Sequence, residues 1–174
     1  TISISATPVN DAPYFGTDLT ALTSVTEDDT SNSGNQISDI IGDAIEDVDN
    51  GAVEGVIVYS PQGSGTWQYS SDQSSWSNVS DTISGGKVLH LEPSNYLRYV
   101  PDQENGETAT ISVQAWDQYT DGSTYTAVDL DAVVVSTNGG TTPYSSTSKT
   151  ASIIVTDVND APVLSTATSS FDSI

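Results

Sequence analysis

Hydrophobic and polar residues alternate along several short stretches of the chain. In residues 109–116, ATISVQAW, the side chains of Ile111, Val113 and Ala115 fall on one face of an extended strand, because successive side chains of a strand point to opposite sides. No stretch shows sustained helical periodicity. We therefore predict a β-strand here and in five similar stretches, at residues 53–59, 65–70, 88–91, 96–100 and 151–155.

Segments rich in Gly, Ser, Asn, Asp and Pro separate these stretches, and their composition is typical of turns. Examples are SNSGN, PQGSG, PDQENG and STNGG. Seven or more short strands joined by turns within about 150 residues favour an all-β fold built as an antiparallel β-sandwich. The longest stretch with little pattern covers residues 117–148. We predict that it forms an extra loop or hairpin between the last strands.

One segment of the chain occurs twice. Residues 1–13 read TISISATPVNDAP and residues 150–162 read TASIIVTDVNDAP, so the two copies share the whole VNDAP run. Copies of a strand and linker this far apart bracket one complete unit of a tandem array. We predict that residues 1–13 are the last strand and linker of a preceding repeat, residues 14–157 are one domain, and residues 158–174 are the linker and start of the next repeat. The expected partners are therefore neighbouring repeats of the same chain.

The charge of the chain is strongly negative. Its 174 residues include 24 acidic and 3 basic side chains, which gives a formal net charge of −21. Such a surface repels nucleic acid and anionic membranes, so we expect no nucleic-acid partner. No apolar run approaches the roughly 18 residues of a membrane-spanning helix, so we expect no membrane insertion. We expect a monomeric, secreted protein that is rich in turns.

Many of the acidic residues are clustered. Two carboxylates about 4 Å apart repel by roughly 4 kcal/mol at an effective dielectric constant near 20, so the acids either spread over the surface or share bound cations. Asp47 and Asp49 alternate in one short segment, and the second linker carries Asp157, Asn159 and Asp160. Carboxylate and amide oxygens are the ligands that calcium prefers. The clustering therefore favours several bound calcium ions.

The motifs of the chain resemble those of a known family. The linker DVNDAP is similar to the D-x-N-D-x-P linker of cadherins and bacterial cadherin-like repeats. GTWQYS, LRYVP, AWD and NGGTTPYS occur in the same order as in repeats of giant calcium-dependent bacterial adhesins of the RTX class. The resemblance covers most of residues 8–164 and implies an Ig- or cadherin-like sandwich, bound calcium, and an extracellular position on a bacterial cell surface. The glycine-rich nonapeptide that names the RTX class is absent.

The resemblance implies calcium ligands at two ends of the domain. The leading end receives the first linker, and its implied ligands are Asn10, Asp11, Asp47, Asp49 and Asp117. The trailing end carries the second linker, and its implied ligands are Glu27, Asp102, Glu104, Asp157, Asn159 and Asp160. The segment Asp102-Gln103-Glu104 lacks the basic middle residue of the cadherin pattern.

Two functions remain open for such a module. The first is calcium-dependent cell adhesion with a ligand site on residues 117–148, where a partly exposed calcium ion accepts the carboxylate of a peptide or host-surface ligand. The second is a purely structural extender repeat that interdomain calcium makes rigid. The first function assigns calcium to Asp121, Asp129 and Asp131, and ligand contact to Tyr119, Tyr125 and Tyr144.

An enzymatic function is not expected. His90 is the only histidine, and it alternates with apolar neighbours in VLHL, which indicates a sheet-face residue. A serine–histidine–aspartate triad needs its histidine in a cleft beside a nucleophile turn, and no such turn is present in the sequence.

Overall fold

The computed structural model describes residues 2–5, 7, 9–83, 87–118 and 138–162. Within these ranges the chain forms short and long β-strands and two helices of a single turn, α1 (Ile37–Ile41) and α2 (Val79–Thr82). Neither helix is long and apolar enough to cross a membrane. The strands in chain order are β1 (Tyr14–Phe15), β2 (Val25–Thr26), β3 (Asn35–Gln36), β4 (Ile45–Glu46), β5 (Gly55–Gln62), β6 (Thr66–Ser70), β7 (Ser77–Asn78), β8 (Leu89–Leu91), β9 (Tyr96–Val100), β10 (Glu107–Trp116) and β11 (Tyr144–Thr156).

The longest strands form a five-stranded sheet with the order β2-β11-β10-β5-β8. Strand β10 lies at its centre and pairs antiparallel with β11 and with β5. Val113 faces Lys149 on one side and Val58 on the other. A four-stranded sheet has the order β3-β9-β6-β7, and β1 pairs with β4 in a separate two-stranded sheet.

These sheets confirm the all-β class that the alternating pattern predicts. Among the strands of the described ranges, all pairs are antiparallel except β2 with β11, which is parallel. The expectation of an antiparallel arrangement therefore has one exception. Of the extra loop or hairpin predicted for residues 117–148, residues 119–137 lie outside the described residues, whereas residues 144–148 form the start of β11 and not part of a loop. The domain boundaries stay a prediction.

The main hydrophobic core joins residues of both large sheets. Ile111, Val113 and Ala115 are buried in it, as the period-two pattern predicts. Trp67 and Tyr99 of the four-stranded sheet belong to the same cluster, and their ring centroids lie 5.2 Å apart. Because apolar burial is the main driving force of folding, this shared cluster holds the two sheets together.

A second, smaller cluster lies on the opposite face of the five-stranded sheet. Val56 and Val58 of β5 belong to the main core, whereas Ile57 between them belongs to the second cluster. Since adjacent side chains of a strand point to opposite faces, this strand is buried on both sides. Trp116 and Tyr144 are members of the second cluster.

The turn between β6 and β7 is organised by one carboxylate. Asp72 Oδ1 accepts hydrogen bonds from the backbone N–H groups of Ser75 and Ser74, each at 2.8 Å, and from the Ser70 hydroxyl at 2.9 Å. These hydrogen bonds favour the ionised form and lower the pKa of Asp72 to about 2. The turn leads directly into Trp76.

We expect the depressed pKa of Asp72 to be visible in a carboxyl NMR titration. The ordinary pKa of an aspartate is about 3.9, so Asp72 stabilises the fold above about pH 4, and this contribution is lost as the pH falls towards 2. In Ser70→Ala the carboxylate loses one donor, and its midpoint should move upward. An unchanged midpoint in Ser70→Ala would show that the backbone donors alone set the value.

Candidate metal sites

At the leading end, the first linker is docked onto two loops of the domain. The Asn10 Nδ2 group donates a hydrogen bond to Asp117 Oδ2 at 3.0 Å, and the Asp11 backbone N–H donates to Asp49 Oδ2 at 2.8 Å. Asp117 directly follows β10, and Asp49 lies three residues after β4. The end of β10 therefore positions Asp117, and the loop after β4 positions Asp49, so that both carboxylates contact the linker.

Asp47 completes this group of side chains. Its Oδ1 atom accepts the Asp49 backbone N–H at 2.7 Å, which folds the loop tightly after β4. Its Oδ2 atom is buried and has no hydrogen-bond partner among the described residues. A buried carboxylate oxygen without a partner is unfavourable. This oxygen is thus available to an additional group.

Backbone carbonyls add to the docking of the linker. The Ala12 backbone N–H donates to the Gly140 carbonyl at 2.8 Å, and Asn10 Nδ2 also lies 3.3 Å from the Thr142 carbonyl oxygen. Neither position is predicted by the motifs of the sequence. Backbone oxygens are offered by every residue type, so only the NGGTTP turn hints at them.

At the trailing end, one glutamate is almost completely buried. Glu27 directly follows β2 and is only 1% exposed. Its Oε1 atom accepts the Val158 backbone N–H at 2.6 Å, while its own backbone N–H donates to the Thr156 carbonyl at 3.0 Å. Its Oε2 atom is buried and lacks a hydrogen-bond partner within the described ranges. Glu27 therefore holds the start of the second linker with one oxygen and leaves the other unsatisfied.

The turn between β9 and β10 approaches the same linker. The Gly106 backbone N–H donates to Asp157 Oδ1 at 3.2 Å. A Cβ atom at Gly106 would lie 2.7 Å from the Asp157 backbone nitrogen, so only glycine allows this close approach. Asp102 Oδ1 accepts the Glu104 backbone N–H at 3.2 Å in the same turn. The structure thus connects the turn to Asp157 through the backbone of Gly106.

The two linker copies share one internal hydrogen bond. Asn10 Nδ2 donates to the Asp11 carbonyl at 3.2 Å, and Asn159 Nδ2 donates to the Asp160 carbonyl, also at 3.2 Å. The sequence repeat is therefore also a repeat of the hydrogen bond within the motif.

Across the described part of the chain, no three His, Cys, Asp or Glu side chains converge in an arrangement that could hold a metal ion. At the leading end, the carboxylates of Asp49 and Asp117 instead accept N–H groups of the linker. No family model, curated protein or solved structure matches the chain. The assignment of these residues as calcium ligands therefore stays a prediction.

The predicted ligand site on residues 117–148 is described only in part. Tyr119, Asp121, Tyr125, Asp129 and Asp131 lie outside the described residues. Asp117 is 6% exposed and belongs to the leading end.

Tyr144 is buried rather than displayed on the surface. It is 6% exposed, and its hydroxyl lies 2.8 Å from Nε2 of His90, which is fully buried. The His90 ring also contacts Trp116 edge-on, with ring centroids 4.7 Å apart. His90 thus faces the second cluster, and the role of Tyr144 as a ligand contact stays a prediction.

Proposed function

We propose that this chain is a calcium-dependent module of a large adhesive protein on a bacterial cell surface. In this proposal the two large sheets form an Ig- or cadherin-like sandwich. Calcium ions at the leading and trailing ends join the module to neighbouring repeats. The single observation that carries the proposal is the docking of the first linker, whose Asn10 and Asp11 contact Asp117 and Asp49.

The second linker supports the same arrangement for the next repeat. Asn159 and Asp160 have the sequence and the internal hydrogen bond of Asn10 and Asp11. A leading end of the same build would therefore receive them in the same way. This symmetry favours a tandem array in which each linker is shared by two units.

The exposed residues before the first linker also support a tandem array. Ile2 and Ile4 are 92% and 91% exposed, whereas Ala151 and Ile153, their counterparts in the second copy, are 1% and 2% exposed. Two isoleucines at alternate positions that are almost fully exposed are unfavourable. They are suited to the core of a preceding unit.

The residues at both ends fit calcium on chemical grounds. The buried, unpaired oxygens Oε2 of Glu27 and Oδ2 of Asp47 are hard oxygen donors, and the remaining implied ligands offer carboxylate, amide and backbone carbonyl oxygens. A bound cation supplies the positive charge that three basic residues cannot supply to 24 acidic ones. The described carboxylates and the linker amides would hold it.

A ligand site on residues 117–148 extends this proposal from a structural extender to an adhesive tip module. It rests on the acidic and tyrosine-rich composition of that segment. A calcium ion with an open coordination position there would accept a peptide carboxylate.

This arrangement predicts the shape of a protein in which residues 1–162 are followed directly by a second copy of residues 14–162, so that a single linker joins two domains. With calcium it should be a rod in small-angle X-ray scattering, and with a chelator it should become bent or flexible, because the linker loses the cations between its carboxylates. The variant Asp157→Ala/Asp160→Ala in the inner linker should lose the calcium response. A rod-like profile of this variant in calcium would show that another contact makes the linker rigid.

A further inference from the structure

A polar cleft lies beside the trailing end and is used by neither linker. Its volume is about 460 Å³, which falls in the range of about 300–1,000 Å³ found for small-molecule sites. Its apolar part is formed by Leu22, Val25 and Ile153, and its rim carries one acidic and one basic side chain, Asp29 and Arg98. The other lining residues are Thr23, Ser24, Ser31, Asn32, Ser33, Gly34 and Asn35.

Arg98 is held rigidly by neutral groups. Its Nε and Nη2 groups donate to Gln68 Oε1 at 2.9 and 2.7 Å, and its Nη1 group donates to the Asn32 carbonyl at 2.9 Å. The guanidinium carbon lies 4.1 Å from the ring centroid of Trp76. These contacts use three of the five N–H donors of the guanidinium and fix its plane.

The positive charge of Arg98 is not neutralised by contact. Among the described residues Lys149 pairs with Asp18, whereas no carboxylate lies within ion-pairing distance of Arg98. Burial lowers the pKa of Arg98, and the charge of Asp29 partly offsets this effect. A partly buried guanidinium that keeps free donors attracts a carboxylate, which it binds in a planar fork.

The net charge of the chain restricts which carboxylates can enter. A net charge of −21 repels an anionic ligand at long range, whereas a ligand without net charge experiences no such repulsion. Asp29 lies on the same rim and affects Arg98 electrostatically without touching it. The cleft therefore presents a positive and a negative group, separated by a gap, above an apolar floor.

We propose that this cleft binds a free α-amino acid with an aliphatic side chain. The ligand carboxylate meets the free N–H groups of Arg98, its ammonium group meets the carboxylate of Asp29, and its side chain covers Leu22, Val25 and Ile153. No calcium ligand takes part, so binding is independent of calcium. The site is thus a second one, separate from the ends of the module.

The test uses the whole chain in chelator, with leucine as the probe and amide NMR shifts as the measurement. We expect saturable shifts at Ser24, Ser33 and Asn35. Leucinamide lacks the carboxylate and N-acetyl-leucine lacks the ammonium group, so each should bind at least about tenfold more weakly, which is the effect of losing one charge-assisted contact.

Variants separate the two charged contacts. Asp29→Asn should weaken leucine binding at least about tenfold, and Arg98→Gln should abolish it. The matched control Lys149→Gln removes a cation outside the cleft and should leave affinity unchanged. If Arg98→Gln fails to fold, Asp29→Asn and the two leucine derivatives still decide the question.

Three results would overturn the proposal. If millimolar leucine causes no saturable shifts, the cleft does not bind leucine, and Arg98 only stabilises the loop that contains Asn32. If leucinamide binds as tightly as leucine, Arg98 does not bind the carboxylate of the ligand. Equal or tighter binding of N-acetyl-leucine would remove the role of Asp29 and identify a peptide C-terminus as the ligand instead.

Discussion

Calcium will raise the melting temperature of this chain strongly. A ligand at a hundredfold its dissociation constant stabilises the folded state by about 2.7 kcal/mol per site. For a chain of this size each kcal/mol corresponds to about 2–4 °C, so each occupied site should add roughly 5–10 °C. The physical reason is the mutual repulsion of 24 acidic side chains that only three basic ones oppose. Thermal unfolding followed by circular dichroism, in calcium and in chelator, measures this effect.

Magnesium is the matched control for that experiment. It demands near-octahedral geometry and dehydrates reluctantly, so the same concentration of magnesium should raise the melting temperature much less. Identical melting curves in calcium and in chelator would contradict the proposed metal sites. They would indicate that the acidic residues are simply spread over a solvated surface.

The variant Glu27→Gln should have opposite effects with and without calcium. Glutamine keeps an oxygen that accepts the Val158 N–H, and it replaces the buried, unpaired carboxylate oxygen with a neutral NH2 group that cannot bind a cation. In chelator, the free energy of unfolding should therefore rise by about 1–3 kcal/mol. In calcium, the variant would lack one of the proposed ligands of the trailing end, and its melting temperature should gain roughly 5–10 °C less than that of the wild type.

Asp39→Asn is the control for this variant, because Asp39 is an exposed carboxylate on α1, which carries none of the implied calcium ligands. It should leave the calcium response unchanged. A Glu27→Gln variant with the full calcium response would exclude Glu27 from any metal site. A variant that is less stable in chelator would show that the carboxylate stabilises the fold by itself.

The sequence predicts the strand with the clearest alternation well, but it misses the first half of β11 (Tyr144–Thr156) and most of the short elements. Strand β10 is central, and eight of its ten residues, 109–116, carry the alternating pattern, so the sequence predicts which side chains face the core. Strand β2 has two residues, Val25–Thr26, and no pattern can reveal that it pairs in parallel with β11. Helix α1 buries Ile37, Ile40 and Ile41 in one turn, which is too short to establish a period.

The sequence predicts the parts of the candidate sites that are formed by side chains of recognisable motifs. The repeated VNDAP run identified both linkers, and the structure brings Asn10 to Asp117 and Asp11 to Asp49. The carbonyls of Gly140 and Thr142 could not be predicted, because every residue offers one. The burial of Tyr144 against His90 depends on contacts across the sheet, which a single sequence does not display.

The most direct test of the proposed calcium sites is a crystal structure of the chain grown in calcium, with the ions located by anomalous scattering. We predict ions at the leading end among Asn10, Asp49 and Asp117, and at the trailing end beside Glu27 Oε2. Ligand oxygens should lie at about 2.3–2.6 Å. A crystal grown in millimolar calcium with no anomalous peak at either end would contradict the account.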